Sequence, residues 1–328
     1  MHDQPALTAA CAECDEIIPL FLFDEPLLQS HEFGSACVTF MLGCLDELQA
    51  SLAALGLTLQ WRRGEPVEQI VQTATDWKAD VVYWNRDYEP GAIERDRLAQ
   101  QRLAKLGVAV RTFKDHVVFE ASEVRGATGE PLQRYSAYRA RWWTKWHATT
   151  PALQPIPTTL AKKKAAPLPL SRPLPTAGEL GYEPVVLAFE PGEQNALKRL
   201  RWFMKGPLHS YAQGRNLPAI DGSSTLSPHF RFGTLSPRMA IHAALNALAK
   251  GGRVSRSDVL TWVDELIWRE FFQQVLTGFP HVAKGPFRAV TVPPARPAGG
   301  ERDQLFRTWC EGKTGYPIVD AGMRQLNH

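Results

Sequence analysis

The sequence predicts an α/β N-terminal domain, built as a doubly wound parallel sheet, followed by an all-α C-terminal domain. Three observations carry this. Short apolar runs alternate with amphipathic helical stretches as far as residue 113. A proline-rich stretch then interrupts all regular periodicity. Beyond about residue 193, apolar residues recur only at three- and four-residue spacing.

The elements follow in order. Residues 6–14 read as a helix, 17–23 as a buried strand and 34–55 as a helix. A second strand is expected at 57–61, and a helix opened by Pro66 runs to 77. Strands at 81–84 and 108–113 flank a charged-faced helix at 93–106. Such sheets bind ligands at the carboxyl ends of their strands. No strand precedes the first helix, where a doubly wound domain would normally have one. Seven prolines between Pro151 and Pro175, with a Lys162-Lys163-Lys164 run among them, mark the linker. Helices are expected at 194–204, 236–248 and 257–276. The boundaries are therefore 1–150, 151–192 and 193–328.

A chain of 328 residues exceeds one ordinary domain. With 44% hydrophobic and 22% charged residues it is globular and has material for a core. General disorder, collagen and a disulfide-stapled miniprotein are excluded. No apolar run is expected to span a membrane, and the N-terminus lacks a secretory pattern. Five cysteines are expected to be thiols in a cytoplasmic protein.

The net charge of +3 conceals an asymmetry. Residues 1–194 carry 19 Lys/Arg against 25 Asp/Glu, whereas residues 195–328 carry 18 against 9. The basic half suits a polyanion, and equally a solvated helical face.

Three stretches bear on chemistry. In the first, Gly222 precedes Ser223, Ser224, Thr225, Leu226 and Ser227, and Pro228 suits the first turn of a helix. Hydroxyls and backbone N–H groups there could hold a phosphate, or simply cap the helix. In the second, Trp262, Glu265 and Arg269 share one face of the 257–276 helix, with Trp268 displaced from them. An aromatic, a carboxylate and an arginine could stack a ring and read a base edge. The plainer reading is an amphipathic core helix with a Glu265–Arg269 pair at i, i+4. The third stretch contains Gly312-Lys313-Thr314, but Arg307 stands where a phosphate loop needs glycine and Pro317 interrupts the following helix, so it is not one.

Cys11-x-x-Cys14 has no second pair or nearby histidine, and no metal site is expected. No hydrolase elbow is present. Trp142, Trp143 and Trp146, with Tyr135 and Tyr138, either pack a core seam or line a cleft for a flat ligand.

The series G-R-N-L-P-A-I-D-G-S-S-T-L-S-P-H-F-R-F-G-T-L-S-P-R, W-V-D-E-L-I-W-R-E-F and G-K-T-G-Y-P-I-V-D-A-G-M-R-Q-L-N appears in order, after H-D-Q-P-A-L and V-V-Y-W-N-R-D-Y-E-P. Together these resemble the DNA photolyase/cryptochrome family, most of all its class I cyclobutane pyrimidine dimer photolyases, over essentially the whole chain. The resemblance implies an α/β antenna domain joined to a helical FAD-binding domain that acts on UV-damaged DNA. It implies flavin contacts from Tyr211, from Ser223, Ser224, Thr225, Leu226 and Ser227, and from Trp262, Glu265 and Arg269. It places Glu265 on the edge of the damaged pyrimidine pair, Trp268 stacked on the flipped lesion, and Arg215 near DNA. A second antenna chromophore, a folate or a deazaflavin, and a monomeric state belong to the same pattern.

Physics agrees with the resemblance: a flipped lesion needs a ring to stack on and a polar group to read it. The chain departs from the family pattern at both ends. The usual first strand is absent, and the segments that normally follow Leu326-Asn327 and complete the flavin pocket are absent too. The resemblance implies light-driven repair of cyclobutane pyrimidine dimers by electron transfer from reduced FAD, in a photolyase sequence expected to be truncated at both ends; one alternative is an inactive photolyase fragment, its flavin pocket incomplete. The other is a cryptochrome-type photoreceptor; the Glu265 and Trp268 pair favours dimer repair. A (6–4) lyase would call on histidines, and only His229 and His281 are loosely placed for that.

Overall fold

The computed structural model describes residues 1–30, 33–163, 172–251, 254–288 and 299–327. Part of the proline-rich linker, including Lys164, lies outside the described residues. Two compact units emerge, residues 1–283 and 284–328.

In the first unit the N-terminal elements are α1 (Pro5–Glu13), β1 (Leu20–Asp24), α2 (Glu25–Leu28), α3 (Ser35–Ala53), β2 (Gln60–Gly64), α4 (Pro66–Asp76), β3 (Val81–Asn85), α5 (Pro90–Lys105) and β4 (Ala109–Phe113). Local chemistry explains the turns from strand to helix. Asp24 accepts from Leu27 N at 2.9 Å to start α2, and Glu65 accepts from Glu68 N at 2.7 Å to start α4. Pro66 and Pro90 occupy first turns, where a missing N–H costs nothing.

Each strand pair is parallel, as expected, but the four strands form two ladders rather than one sheet. β1 pairs with β2, Leu20 opposite Gln60, and β3 with β4, Val81 opposite Ala109. Among the described residues no ladder joins β1 to β3.

One expectation fails. α3 has 19 residues and a mean hydropathy of 1.2, so it is long and apolar enough to cross a membrane. From this helix Val38, Met41, Leu45 and Leu52 enter the α/β core with Phe23, Leu57 and Leu59. Leu160, Ala177 and Leu180 from the linker complete that core. The described parts of the linker therefore pack on the α/β layer.

The helical part comprises α6 (Tyr135–Thr149), α7 (Glu193–Lys205), α8 (Tyr211–Gly214), α9 (Ser227–Arg231), α10 (Pro237–Ala249) and α11 (Arg256–Gly278). Its core gathers Phe203, Leu226, Ile241, Trp262 and Ile267 with Tyr138, Trp142 and Trp146. So α6, which precedes the linker in sequence, belongs to the helical core. The tryptophan cluster is core packing.

A polar seam explains why residues 1–283 form a single compact unit. Arg238 is 5% exposed and bonds the carboxylates of Asp3 at 2.8 Å and Asp115 at 2.7 Å. It also donates to the carbonyls of Asp3 and Asp115, both at 3.0 Å. Glu270 on α11 accepts from Val118 N, Phe119 N, Tyr138 Oη and Trp142 Nε1 at 2.6–3.2 Å. Buried charges with this many partners are tolerated, and removing one partner is costly.

The second unit holds α12 (Gly299–Cys310) and α13 (Pro317–Asn327); Pro317 opens a helix rather than interrupting one as expected, and its missing N–H costs nothing there. Asp320 explains why Gly312-Lys313-Thr314 is no phosphate loop. Its carboxylate accepts from Thr314 N at 2.7 Å, Thr314 Oγ1 at 2.6 Å and Gly315 N at 3.0 Å. The anion position is filled from within, and the Thr314 hydroxyl, the largest influence, helps hold the Asp320 carboxyl below its usual range.

Candidate functional site

The site is built around α8 and α11. Ala212 N donates to Asp258 Oδ1 at 2.8 Å, which ties α8 to the first turn of α11. The buried Tyr211 ring meets Phe203 edge-on at 5.7 Å, and Phe203 meets Trp262 at 5.0 Å. Tyr211 and Trp262 thus share one aromatic wall. Burial pushes the Tyr211 phenol up, so it stays protonated.

Arg215, at the end of α8, has its guanidinium 5.5 Å from the Tyr211 ring centre. Its Nη1 lies 2.5 Å from Glu265 Oε1. That pair replaces the expected Glu265–Arg269 pair. Arg269 instead donates to His116 O at 2.6 Å and Phe230 O at 3.4 Å. Its guanidinium is engaged in the seam, beside the loop after β4, and not with Glu265.

The hydroxyl-rich loop is held by contacts that composition does not reveal. A Cβ on Gly222 would lie 2.8 Å from Gly214 O, so only glycine permits this approach of loop to α8. Thr225 has φ +50°, an unusual conformation for a β-branched residue. Arg199 on α7 donates to Ser224 O at 3.0 Å and to Asp221 Oδ1 at 3.1 Å. Thr225 Oγ1 donates to Ser224 O at 2.8 Å, and Leu226 is fully buried beneath. The hydroxyls of Ser223, Ser224 and Ser227 make no hydrogen bond to described residues. Three neutral donors, with Arg199 bonded to the same loop, fit an anionic group such as a phosphate.

Trp268 stacks on Tyr135, with centroids 3.5 Å apart and planes within 9°. Phe272 lies 5.5 Å away, inclined by 26°. Glu265 and Trp268 are three residues apart on the same helix, and both are partly exposed.

His229 stands apart from this group. It is buried, bonds Thr234 Oγ1 at 2.8 Å, and meets Phe40 edge-on at 5.3 Å. Burial holds its imidazole down at about 4, so it is neutral. Cys14 Sγ lies 3.5 Å from Tyr83 Oη, and burial, above all, pushes the Cys11 thiol up, which disfavours a reactive thiolate.

The structure therefore brings together Tyr211, Arg215, Trp262 and Glu265, with the Ser223–Ser227 loop tethered to the same short helix. Trp268 lies one turn along α11 from Glu265. Sequence reasoning missed Arg199 and the Asp264 side chain, which bonds Arg139 at 2.7 Å. Arg199 carries no motif. Tyr135 stood in the aromatic cluster, but its partner was not readable.

Comparison with known proteins gives the family. Residues 1–158 match the family model "DNA photolyase", and residues 262–328 match "FAD binding domain of DNA photolyase". The chain belongs to the DNA photolyase/cryptochrome family. The deoxyribodipyrimidine photo-lyase of Synechococcus sp. is 36% identical over 345 residues, covering 99% of this chain and 68% of the relative. A class III photolyase from Agrobacterium tumefaciens superposes with a TM-score of 0.82 at 27% identity, over 99% of this chain and 66% of that one. A cryptochrome from Synechocystis gives 0.83 at 24% identity, over 99% and 68%, which speaks to fold alone. The chain thus spans about two thirds of the length of these proteins. The hydroxyl-rich loop falls between the two matched segments.

Proposed function

We propose that this chain is a light-driven DNA repair flavoprotein of cyclobutane pyrimidine dimer photolyase type. The observation that carries the reading is the Glu265 and Trp268 pair on α11, beside Tyr211 and Arg215. Bound in reduced form, FAD would supply the light-driven electron chemistry that splits the cyclobutane ring. The protein's part is to bind, orient and exclude water.

Ser223, Ser224 and Ser227, supported by the backbone of Thr225 and Leu226, would hold the pyrophosphate. The Tyr211, Phe203 and Trp262 wall would exclude water on the other side. Glu265 would accept hydrogen bonds from the edge of the flipped pyrimidine pair, exchanging part of its bond to Arg215. Trp268 would stack on that pair, a contact worth about 1–3 kcal/mol per base. Arg215 and the basic balance of residues 195–328 would hold DNA by its phosphates. Arg269 is left out of the flavin set, because its guanidinium is engaged with carbonyls of the seam.

A cleft of about 610 Å³ lies on the α/β layer, lined by Leu28, Ser30, Arg63, Glu179, Leu180 and Tyr182. This open, largely polar cleft, close to where β1 and β2 end, is where a second chromophore, a folate or a deazaflavin, would sit. The signalling alternative shares the fold; the Glu265 and Trp268 pair is what favours repair. The buried His229, neutral and bonded to Thr234, is not placed to act on a lesion.

The test is illumination of the FAD-loaded chain with a thymine-dimer oligonucleotide, with product scored by restored cleavage at the repaired site. Repair that is lost in Glu265→Ala and Trp268→Ala supports the reading. Flavin binding without light-dependent repair in the wild-type chain contradicts it.

A further inference from the structure

Tyr135 carries an arrangement that the proposed function does not use. It opens α6, far from α11 in sequence, yet contacts α11 in two ways. Its ring covers one face of the Trp268 indole, centroids 3.5 Å apart and planes within 9°. Its Oη donates to the backbone carbonyl of Asp264 at 3.0 Å, one turn before Trp268. Arg139, one turn further along α6, bonds the Asp264 carboxylate at 2.7 Å. Tyr138 and Trp142 both reach Glu270. The stripe of residues 135, 138, 139 and 142 therefore docks α6 along α11 at helical spacing.

We infer that Tyr135 is a positioning residue: it fixes the plane of the Trp268 indole and reserves the opposite face for a flat ligand, the flipped pyrimidine pair. This rests on the reading of Trp268 given above. An indole has two faces, and stacking needs one of them free and held still. Tyr135 occupies the first face fully, and its hydroxyl bond keeps the phenol from swinging away. A partly exposed indole without that backing samples other rotamers, and a stacking partner would have to order it on binding. Phe272, 60% exposed, lies near-parallel to the same indole with centroids 5.5 Å apart, and its ring must give way to a flat ligand that stacks there. The remaining part of the aromatic group, Phe271 and Tyr138, is buried and sets the depth at which Trp268 sits.

The test uses the full chain and two duplexes, one with a single thymine dimer and one undamaged. The readout is the ratio of their dissociation constants, which needs no flavin and no light. Tyr135→Met keeps side-chain bulk but removes the flat ring, and Tyr135→Phe keeps the ring but loses the hydroxyl. Tyr135→Met is expected to lower the ratio about three- to tenfold, while Tyr135→Phe retains most of it. Binding to undamaged duplex stays unchanged in both. Combined with Trp268→Ala, Tyr135→Met adds nothing further, since the two act through one contact. If the methionine variant does not fold, Tyr135→His, with a smaller ring, is expected to shift the ratio in the same direction. An unchanged ratio in these variants, with a lowered ratio in Trp268→Ala, overturns the role of Tyr135 alone. An unchanged ratio in Trp268→Ala overturns the lesion reading itself, and the role of Tyr135 with it.

Discussion

Arg215 on α8 and Glu265 on α11 are joined by a 2.5 Å ion pair at the mouth of the candidate site. Both side chains are about one-third exposed, so the pair adds only about 0–1 kcal/mol to stability. It is open to exchange with a ligand. Arg215→Ala should weaken binding to damaged and undamaged DNA alike and reduce the salt slope by about 1. Glu265→Ala should weaken binding to damaged DNA selectively. Affinity titrations at several salt concentrations check both, and a uniform loss in both variants would contradict the assignment.

The loop that would hold the cofactor depends on Gly222. A methyl group there meets the Gly214 carbonyl at 2.8 Å, and backbone cannot yield as a flexible side chain can. Gly222→Ala should cost about 1–3 kcal/mol in unfolding free energy. It should also displace Ser223 and Ser224 and so weaken flavin binding. Gly34→Ala is the control, because nothing lies within 4 Å of its added carbon. Denaturant unfolding and FAD titration of the two variants give the comparison.

The seam between the α/β layer and the helices depends on Arg238. Replacing it with methionine leaves Asp3 and Asp115 buried without their cation. The expected loss is about 3–5 kcal/mol, measured by chemical denaturation. A loss below 1 kcal/mol would mean that the seam does not rest on this residue.

Much of this architecture was legible in the sequence. Strands β1, β3 and β4 and helices α1, α3, α4, α5, α7, α10 and α11 fall close to where apolar period and proline punctuation put them; β2 starts three residues later than expected, and α6, α12 and α13 were not expected. Tyr211, Trp262 and Glu265 do converge. What escaped was tertiary. The i, i+4 rule considers one helix at a time, so it paired Glu265 with Arg269; the approach of α8 supplies Arg215 instead. The place of α6 in the helical core depends on Trp142 reaching Glu270, 128 residues away. The apolar length of α3 was missed because Asp46 and Glu47 interrupt it near its C-terminal end. Thr225 in a left-handed conformation has no sequence signal, since such positions usually take glycine.

Glu270 sets a pH dependence. Burial pushes its carboxyl up to about 7, against about 4.3 in an unfolded chain. Between those values the folded state holds a proton that the unfolded state has released. Its contribution is therefore fully present below about pH 4.3 and is lost as pH rises toward 7. Glu270→Gln does not titrate, but turns an amide donor toward groups that are themselves donors, which costs about 1–3 kcal/mol. The stability difference, wild type minus variant, should fall as pH rises through this window. Denaturant midpoints at pH 4.5 to 7.5 measure it, and a flat difference would contradict the assignment.

The most direct measurement is titration of the purified chain with FAD, following flavin absorbance and fluorescence, alongside a variant in which Ser223, Ser224 and Ser227 are all alanine. Saturable binding with a structured blue absorption band, lost or strongly weakened in the triple variant, is the predicted result. Equal binding by the two proteins would contradict the assignment of the loop. Absence of binding to either would show that this polypeptide does not act as a flavoprotein on its own.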